Sequence, residues 1–134
     1  MEDRYLFKAK RIDTNDWILG FLSMHKTGKY FIRPIDGSAS SSEEVDKNTI
    51  CQCTGLKDKN GKLIWENDIV KDEHGNLYKA FWQNNYYQFS WICVRSDAFL
   101  IGAKWDLWSF KSFEIEVIGN VFDNTELLES EEKE

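Results

Sequence analysis

The sequence predicts a mostly β fold containing a small barrel, and three observations carry that expectation. Apolar and aromatic runs of about seven residues alternate with turn clusters of two to five residues. Aromatic residues make up 15% of the chain and apolar residues 42%, enough to pack an interior from pleated, half-covered strands. With one proline and eight glycines, wholesale disorder and collagen-like repeats are excluded. A length of 134 residues suits one domain, or two small subdomains sharing a core.

The elements follow in order. Strands over 5–12, 17–22 and 29–33 form an antiparallel meander, turned by Asp13-Thr14-Asn15-Asp16 and by His25-Lys26-Thr27-Gly28. Pro34 ends it, because proline cannot donate to a central ladder. We therefore expect an N-terminal β meander over 1–36 and a mobile loop over 37–47. Its stretch Gly-Ser-Ala-Ser-Ser-Ser-Glu-Glu (37–44) has little to bury and marks the best subdomain boundary.

Residues 48–122 form the barrel-like portion. A strand over 48–53 leads to Asn60-Gly61, a short hairpin signal because both residues tolerate positive φ. Residues 63–71 return from it, and 77–83 and 86–94 follow, separated by Asp72-Glu73-His74-Gly75-Asn76 and Asn84-Asn85. Alternation places Tyr87, Phe89, Trp91 and Cys93 on one face of the last of these, and Tyr78, Ala80 and Trp82 on one face of its neighbour. Neither strand has a purely polar face, so both are covered or join an interface. Residues 95–112 fit a helical turn or a twisted strand equally. A final strand covers 113–122, and 123–134 holds a short C-terminal helical turn, capped by Asp123 or Asn124, and an acidic tail.

The formal net charge is −6, from 17 Lys and Arg against 23 Asp and Glu, which argues against a protein coating duplex nucleic acid by bulk charge. Six of those acids and a single lysine lie in 123–134, so the remainder is nearly balanced. No apolar run approaches the ~18–20 residues of a membrane span, and Met1-Glu2-Asp3-Arg4 does not open a signal peptide. Three cysteines, Cys51, Cys53 and Cys93, give an odd count suited to a reducing cytosol, so a cytoplasmic protein without membrane contact is expected. Cys51 and Cys53 with Cys93 and His25 or His74 form only half a zinc knuckle at the wrong spacing. Neither a metal nor a cofactor is expected.

Two segments together resemble the YopX family of small phage and prophage proteins. The first is Thr54-Gly-Leu-Lys-Asp-Lys-Asn-Gly-Lys-Leu-Ile-Trp-Glu-Asn-Asp-Ile-Val70, similar to T-G-L-x-D-x-N-G-x-x-I-Y-E-G-D-I-V. The second is Glu116-Val-Ile-Gly-Asn-Val-Phe-Asp-Asn-Thr-Glu-Leu-Leu128, similar to E-V-I-G-N-I-Y-E-N-P-E-L-L. Asn67 stands where the family favours glycine, Cys51 and Cys53 where it has Gly and Tyr, and Thr125 where it has proline. The resemblance implies an irregular all-β subdomain beside an SH3-like barrel, and a phage accessory protein acting in the host bacterial cytoplasm. It implies no catalytic residue. The motif positions Thr54, Gly55, Leu56, Asp58, Asn60, Gly61, Asp68, Gly119 and Asn120 are expected to be structural.

Candidate chemistry is sparse. Asp58-Lys59-Asn60-Gly61 resembles part of a calcium loop, but it sits between strands and its Asp and Asn suffice as turn formers. Glu66 and Asp68 share a strand face and could pair, although paired-carboxylate catalysis usually draws its acids from different elements across a cleft. His25 and His74 lie in turns with no nucleophile elbow in the sequence, and Gly28-Lys29 and Gly61-Lys62 lack the rest of a phosphate loop. The aromatic set has the most functional reach. Trp82, Tyr86, Tyr87, Trp91, Trp105 and Trp108 are the candidate binding residues.

Protein contact, including self-association, is the expected use of these rings, since aromatic residues enrich interface cores. The partners expected are a second copy of the chain and a phage or host protein. Single-stranded nucleic acid, stacked on barrel aromatics, is the alternative. Residues 1–33 are locally basic, with seven Lys and Arg against four acids, but the cations near the barrel rings are few. An enzyme of unknown class is the third reading, and no catalytic set converges in sequence to support it.

Overall fold

The computed structural model describes residues 2–37 and 41–128. It is mostly β, with two antiparallel sheets and, among the described residues, only short 3-10 turns as helix. The chain divides into two compact units, Met1–Gly55 and Leu56–Glu134. The acidic tail and the centre of the serine-rich loop lie outside the described residues.

In the first unit, β1 (Phe7–Lys10), β2 (Trp17–Met24), β3 (Tyr30–Pro34), β4 (Glu43–Val45) and the start of β5 (Cys51–Lys57) take the order β4-β3-β2-β1-β5. Alternation buries Ala9, Ile18, Ile32 and Val45, with Phe7, Leu22, Tyr30 and Ile50 packed on them. On the opposite face Lys8 stands across from Leu19, Lys10 from Trp17 and Phe21 from Arg33. Strand β4 forms where the sequence reads as loop. Val45 is buried there, and Glu43 reaches the Arg11 guanidinium at 3.3 Å, so a short charged edge strand is stable without an apolar run. The division of the chain falls after Gly55, inside β5, rather than at the polar loop. Gly55 takes φ +84° there, a conformation open to glycine and costly for other residues.

In the second unit, the end of β5 turns back as β6 (Leu63–Trp65), followed by β7 (Asp68–Lys71), β8 (Leu77–Gln83), β9 (Gln88–Arg95), β10 (Lys104–Asp106) and β11 (Glu116–Asn120). The five-stranded sheet has the order β10-β9-β8-β7-β11, so the last strand returns beside the first of a meander. Two 3-10 turns, Leu107–Ser109 and Ser112–Glu114, precede that return. This is the strand order of an SH3-like barrel. Ile64, Val70, Tyr78, Ala80, Trp91, Cys93 and Ile115 form the core.

The ambiguous stretch 95–112 resolves into both of its alternatives, a short strand and a 3-10 turn. The run 63–71 is two strands, not one, because Asn67 breaks it with φ +74°. Asn67 thus takes the left-handed geometry of the glycine that the resemblance leads one to expect. Asp68 closes that turn by accepting the Trp65 N–H at 2.8 Å.

Hairpins at 58–62 and 72–76 share one device. In each an Asp carboxylate accepts two backbone N–H groups, from Asn60 and Lys62 in the first and His74 and Asn76 in the second. A glycine with positive φ, Gly61 or Gly75, completes each turn. Asn60 itself does not take positive φ, so the loop has three residues instead of the two that Asn60-Gly61 suggests. The Asp58 carboxylate is committed to N–H donors, which accounts for that acid without a cation.

Tyr87 sits in the β8–β9 turn with φ +54°, not on the strand face that alternation assigns it, and 79% of it is exposed. A bulky residue in the left-handed region is strained. Changing Tyr87 to Asn should raise the unfolding free energy by about 0.5–1 kcal/mol, read from a higher urea midpoint; a loss would show that the ring contributes more than its turn geometry costs.

Candidate binding site on the second unit

The aromatic residues singled out in the sequence fall into different environments. Trp91 is fully buried, its indole N–H donating to the Leu107 carbonyl at 3.1 Å, so it is a core residue and presents no stacking surface. Tyr86 and Trp108 are largely exposed, and Trp82 is partly so, packed edge-on against Phe89 at 5.2 Å. Trp105 is half-buried on β10 opposite Trp91. It belongs to a site that the other candidates do not form.

That site is a cavity of about 230 Å³ lined by Asp72, Glu73, His74, Asn76, Tyr78, Phe99, Trp105, Phe110 and Glu114. Its rings contact one another in series. Tyr78 lies 5.4 Å from Trp105 and 4.8 Å from Phe110, and Phe99 lies 5.1 Å from Trp105. Strand register explains the grouping: β8 and β9 align Tyr78 with Cys93, and β9 and β10 align Trp91 with Trp105, putting these side chains on one sheet face. Phe99 comes from the β9–β10 loop and Phe110 from the segment between the two 3-10 turns.

The acids are held in place. Burial pushes the Asp72 carboxyl up, but hydrogen bonds from the Asn76 side chain, the Tyr78 hydroxyl and the His74 and Asn76 N–H groups outweigh it, leaving it below its ordinary value. The Tyr78 hydroxyl donates to Asp72 Oδ2 at 2.9 Å, and burial and that carboxylate both push its own ionisation far up. Glu114 accepts the Lys111 N–H at 2.6 Å. Among the lining residues there is no Lys or Arg.

Beside the cavity, the β9–β10 loop carries Phe99, Leu100 and Ile101, all exposed, with Leu100 at 83%. The loop is ordered by its own bonds. Ser96 Oγ accepts the Ala98 and Phe99 N–H groups and donates to Asn76 Oδ1, and the Ala103 N–H donates to the Leu100 carbonyl.

The motif residues lie elsewhere and build the frame. Asp58 accepts from Asn60 and Lys62 through one oxygen and from Val117 through the other, at 2.9 Å each. Leu56 packs on the core. Asn120 Oδ1 accepts the Phe122 and Asp123 N–H groups, while Asn124 Oδ1 accepts the Asn120 N–H at 3.1 Å. The Asn124 side chain therefore folds back on Asn120 while its carbonyl accepts the Leu127 N–H at 3.0 Å in the final 3-10 turn, Thr125–Leu128, and a side chain at Gly119 would crowd it. The family profile described as YopX protein matches residues 15–129, most of the chain. The chain belongs to the YopX family. No curated protein matches it.

In this YopX-family chain the other sequence candidates stay apart. Cys51, Cys53 and Cys93 are buried and not joined in a disulfide, and among the described residues no group of three His, Cys, Asp or Glu side chains is placed to hold a metal. His25 packs against Phe31 at 4.4 Å. No helix among the described residues is long and apolar enough to cross a membrane. Sequence reasoning finds Trp105 but misses Tyr78, Phe99, Phe110, Asp72, Glu73 and Glu114 as a group, since they span 43 positions and meet only through strand pairing. The local signal was the exposed-looking run Phe99-Leu100-Ile101 between two strands.

Proposed function

We propose that this chain is a non-enzymatic binding module that engages another protein through the aromatic cavity and the apolar β9–β10 loop of its second unit. One observation carries the reading: Phe99, Leu100 and Ile101 are held exposed by an ordered loop at the edge of a ring-lined cavity. Runs of exposed apolar residues mark interaction sites, and aromatic pockets anchor them. With the phage or prophage setting that the family resemblance implies, this makes the chain a cytoplasmic accessory protein acting on a phage or host partner. Self-association belongs to the same reading.

A second reading has an observation in the first unit. The ammonium groups of Lys8 and Lys10 stand 4.5 and 5.4 Å from the Trp17 ring, a cation–aromatic pairing of the sort that single-stranded nucleic acid can use. The rings of the cavity, by contrast, are accompanied by Asp72, Glu73 and Glu114 and by no Lys or Arg.

Affinity capture from infected cells, comparing the natural chain with a Leu100→Ser, Ile101→Ser double variant, separates these readings. The expected result is a partner protein lost at least tenfold in the variant, with oligonucleotide binding unchanged. Identical capture by both chains would remove the loop as a docking element. Light scattering on the same samples tests self-association, which a concentration-independent monomer mass would exclude.

A further inference from the structure

We propose that the aromatic cavity of the second unit receives a cationic side chain, a lysine or arginine projecting from the partner protein. This rests on the binding-module reading above and adds the chemistry of the group bound. Four rings, those of Tyr78, Phe99, Trp105 and Phe110, line the cavity in mutual contact, with Trp105 also 6.3 Å from Phe110. The face of such a ring is negative and attracts an ammonium or guanidinium.

The lining also holds Asp72, Glu73 and Glu114, and no Lys or Arg accompanies them. Asp72 accepts from four donors: the N–H groups of His74 and Asn76, the Asn76 amide and the Tyr78 hydroxyl. Four donors fix it as a carboxylate, and no Lys or Arg of the lining compensates its charge. A phosphate or carboxylate ligand would meet this charge as repulsion, and a neutral apolar group would leave it without use.

Size narrows the occupant further. About 230 Å³ lies below the 300–1,000 Å³ or so typical of cofactor and drug-sized sites, and fits one long side chain. A free amine would fill the cavity yet leave the exposed Leu100 and Ile101 untouched, whereas a side chain on a protein surface engages both. The long apolar stem of lysine or arginine suits the rings, and its charged head suits the acids.

Calorimetric titration of the full chain with three blocked pentapeptides tests the assignment. They share a Gly-Gly-X-Gly-Gly sequence, with X as lysine, arginine or norleucine. The lysine or arginine peptide should bind at least tenfold more tightly than norleucine, the neutral analogue of the lysine stem. Glu73→Gln, a change at an exposed position, should weaken the cationic peptide several-fold, and Glu73→Gln with Glu114→Gln at least tenfold, while norleucine binding stays the same. Equal binding of all three peptides, or none at millimolar concentration, overturns the inference. If the Leu100→Ser, Ile101→Ser pair still abolishes partner capture in that event, the binding-module reading stands and only the cationic occupant is lost; if capture is unaffected as well, both fall.

Discussion

Replacing Asp58 with Ala should cost about 3–4 kcal/mol in urea unfolding, because one buried carboxylate serves three backbone N–H groups and alanine leaves all three without an acceptor. Hydrogen bonds to charged acceptors contribute about 1.5–3 kcal/mol each, though shared acceptors contribute less than the sum. A loss below about 1 kcal/mol would show that water replaces the carboxylate. Asp58→Asn should fall between the two, since an amide oxygen can keep the Asn60 and Lys62 N–H groups while its NH2 faces the Val117 donor.

The same residue sets part of the acid response. Burial raises the Asp58 carboxyl, and the N–H groups of Val117, Lys62 and Asn60 together lower it further than burial raises it. A carboxyl depressed in the folded state contributes stability that is fully present above its unfolded value, about 4, and lost as pH falls through the folded one. The natural chain should therefore lose stability below about pH 4, and Asp58→Ala should flatten that slope. An unchanged slope in the variant would assign the acid response to other carboxyls, Asp72 first among them, since it is depressed for the same kind of reason.

Trp91 supplies the other large effect. Trp91→Ala should cost about 3–5 kcal/mol, through the cavity left in the core and the Leu107 carbonyl left without its donor. Trp108→Ala, at a residue 79% exposed, should stay within about 0.5 kcal/mol. Thermal or urea unfolding of the two variants side by side checks the contrast. Comparable losses would mean that Trp108 is covered in solution, as self-association would require.

Much of the fold was legible because hairpins are local. The turns at 25–29, 58–62 and 72–76 carry their Asp, His and Gly signals within five residues, and the strands on either side have period-two alternation. What escaped depends on distance or on single backbone torsions. Glu43 and Glu44 look like solvated acids until β3 and Arg11 provide partners. Tyr87 breaks its run by turning left-handed, which nothing in its surroundings announces, whereas at Asn67 the resemblance to a glycine position did. Trp91 and Trp108 are alike as letters, and only register with β8 and β10 buries the first.

The candidate site was less legible than the fold. Trp105 was visible as an aromatic residue, but its acidic and aromatic neighbours come from the β7–β8 turn, β8, the β9–β10 loop and the region of the last 3-10 turns before β11. No local pattern ties Asp72 to Phe110. The family motif pointed to the frame, at Asp58, Asp68 and Asn120, and not to the cavity that the frame supports.

Asp58 also has a consequence for synthesis on the ribosome. Its bond to Val117 spans 59 residues, so although the 58–62 hairpin closes on its own local bonds, the Asp58 carboxylate gains its third donor only once β11 has been made. The first unit, ending at Gly55, has all its strand partners long before then. The nascent chain therefore carries an unfinished second unit from residue 56 until β11 is made, with its aromatic residues uncovered. Slowing elongation late in the message should lengthen that exposed interval, whereas slowing it before residue 55 should not.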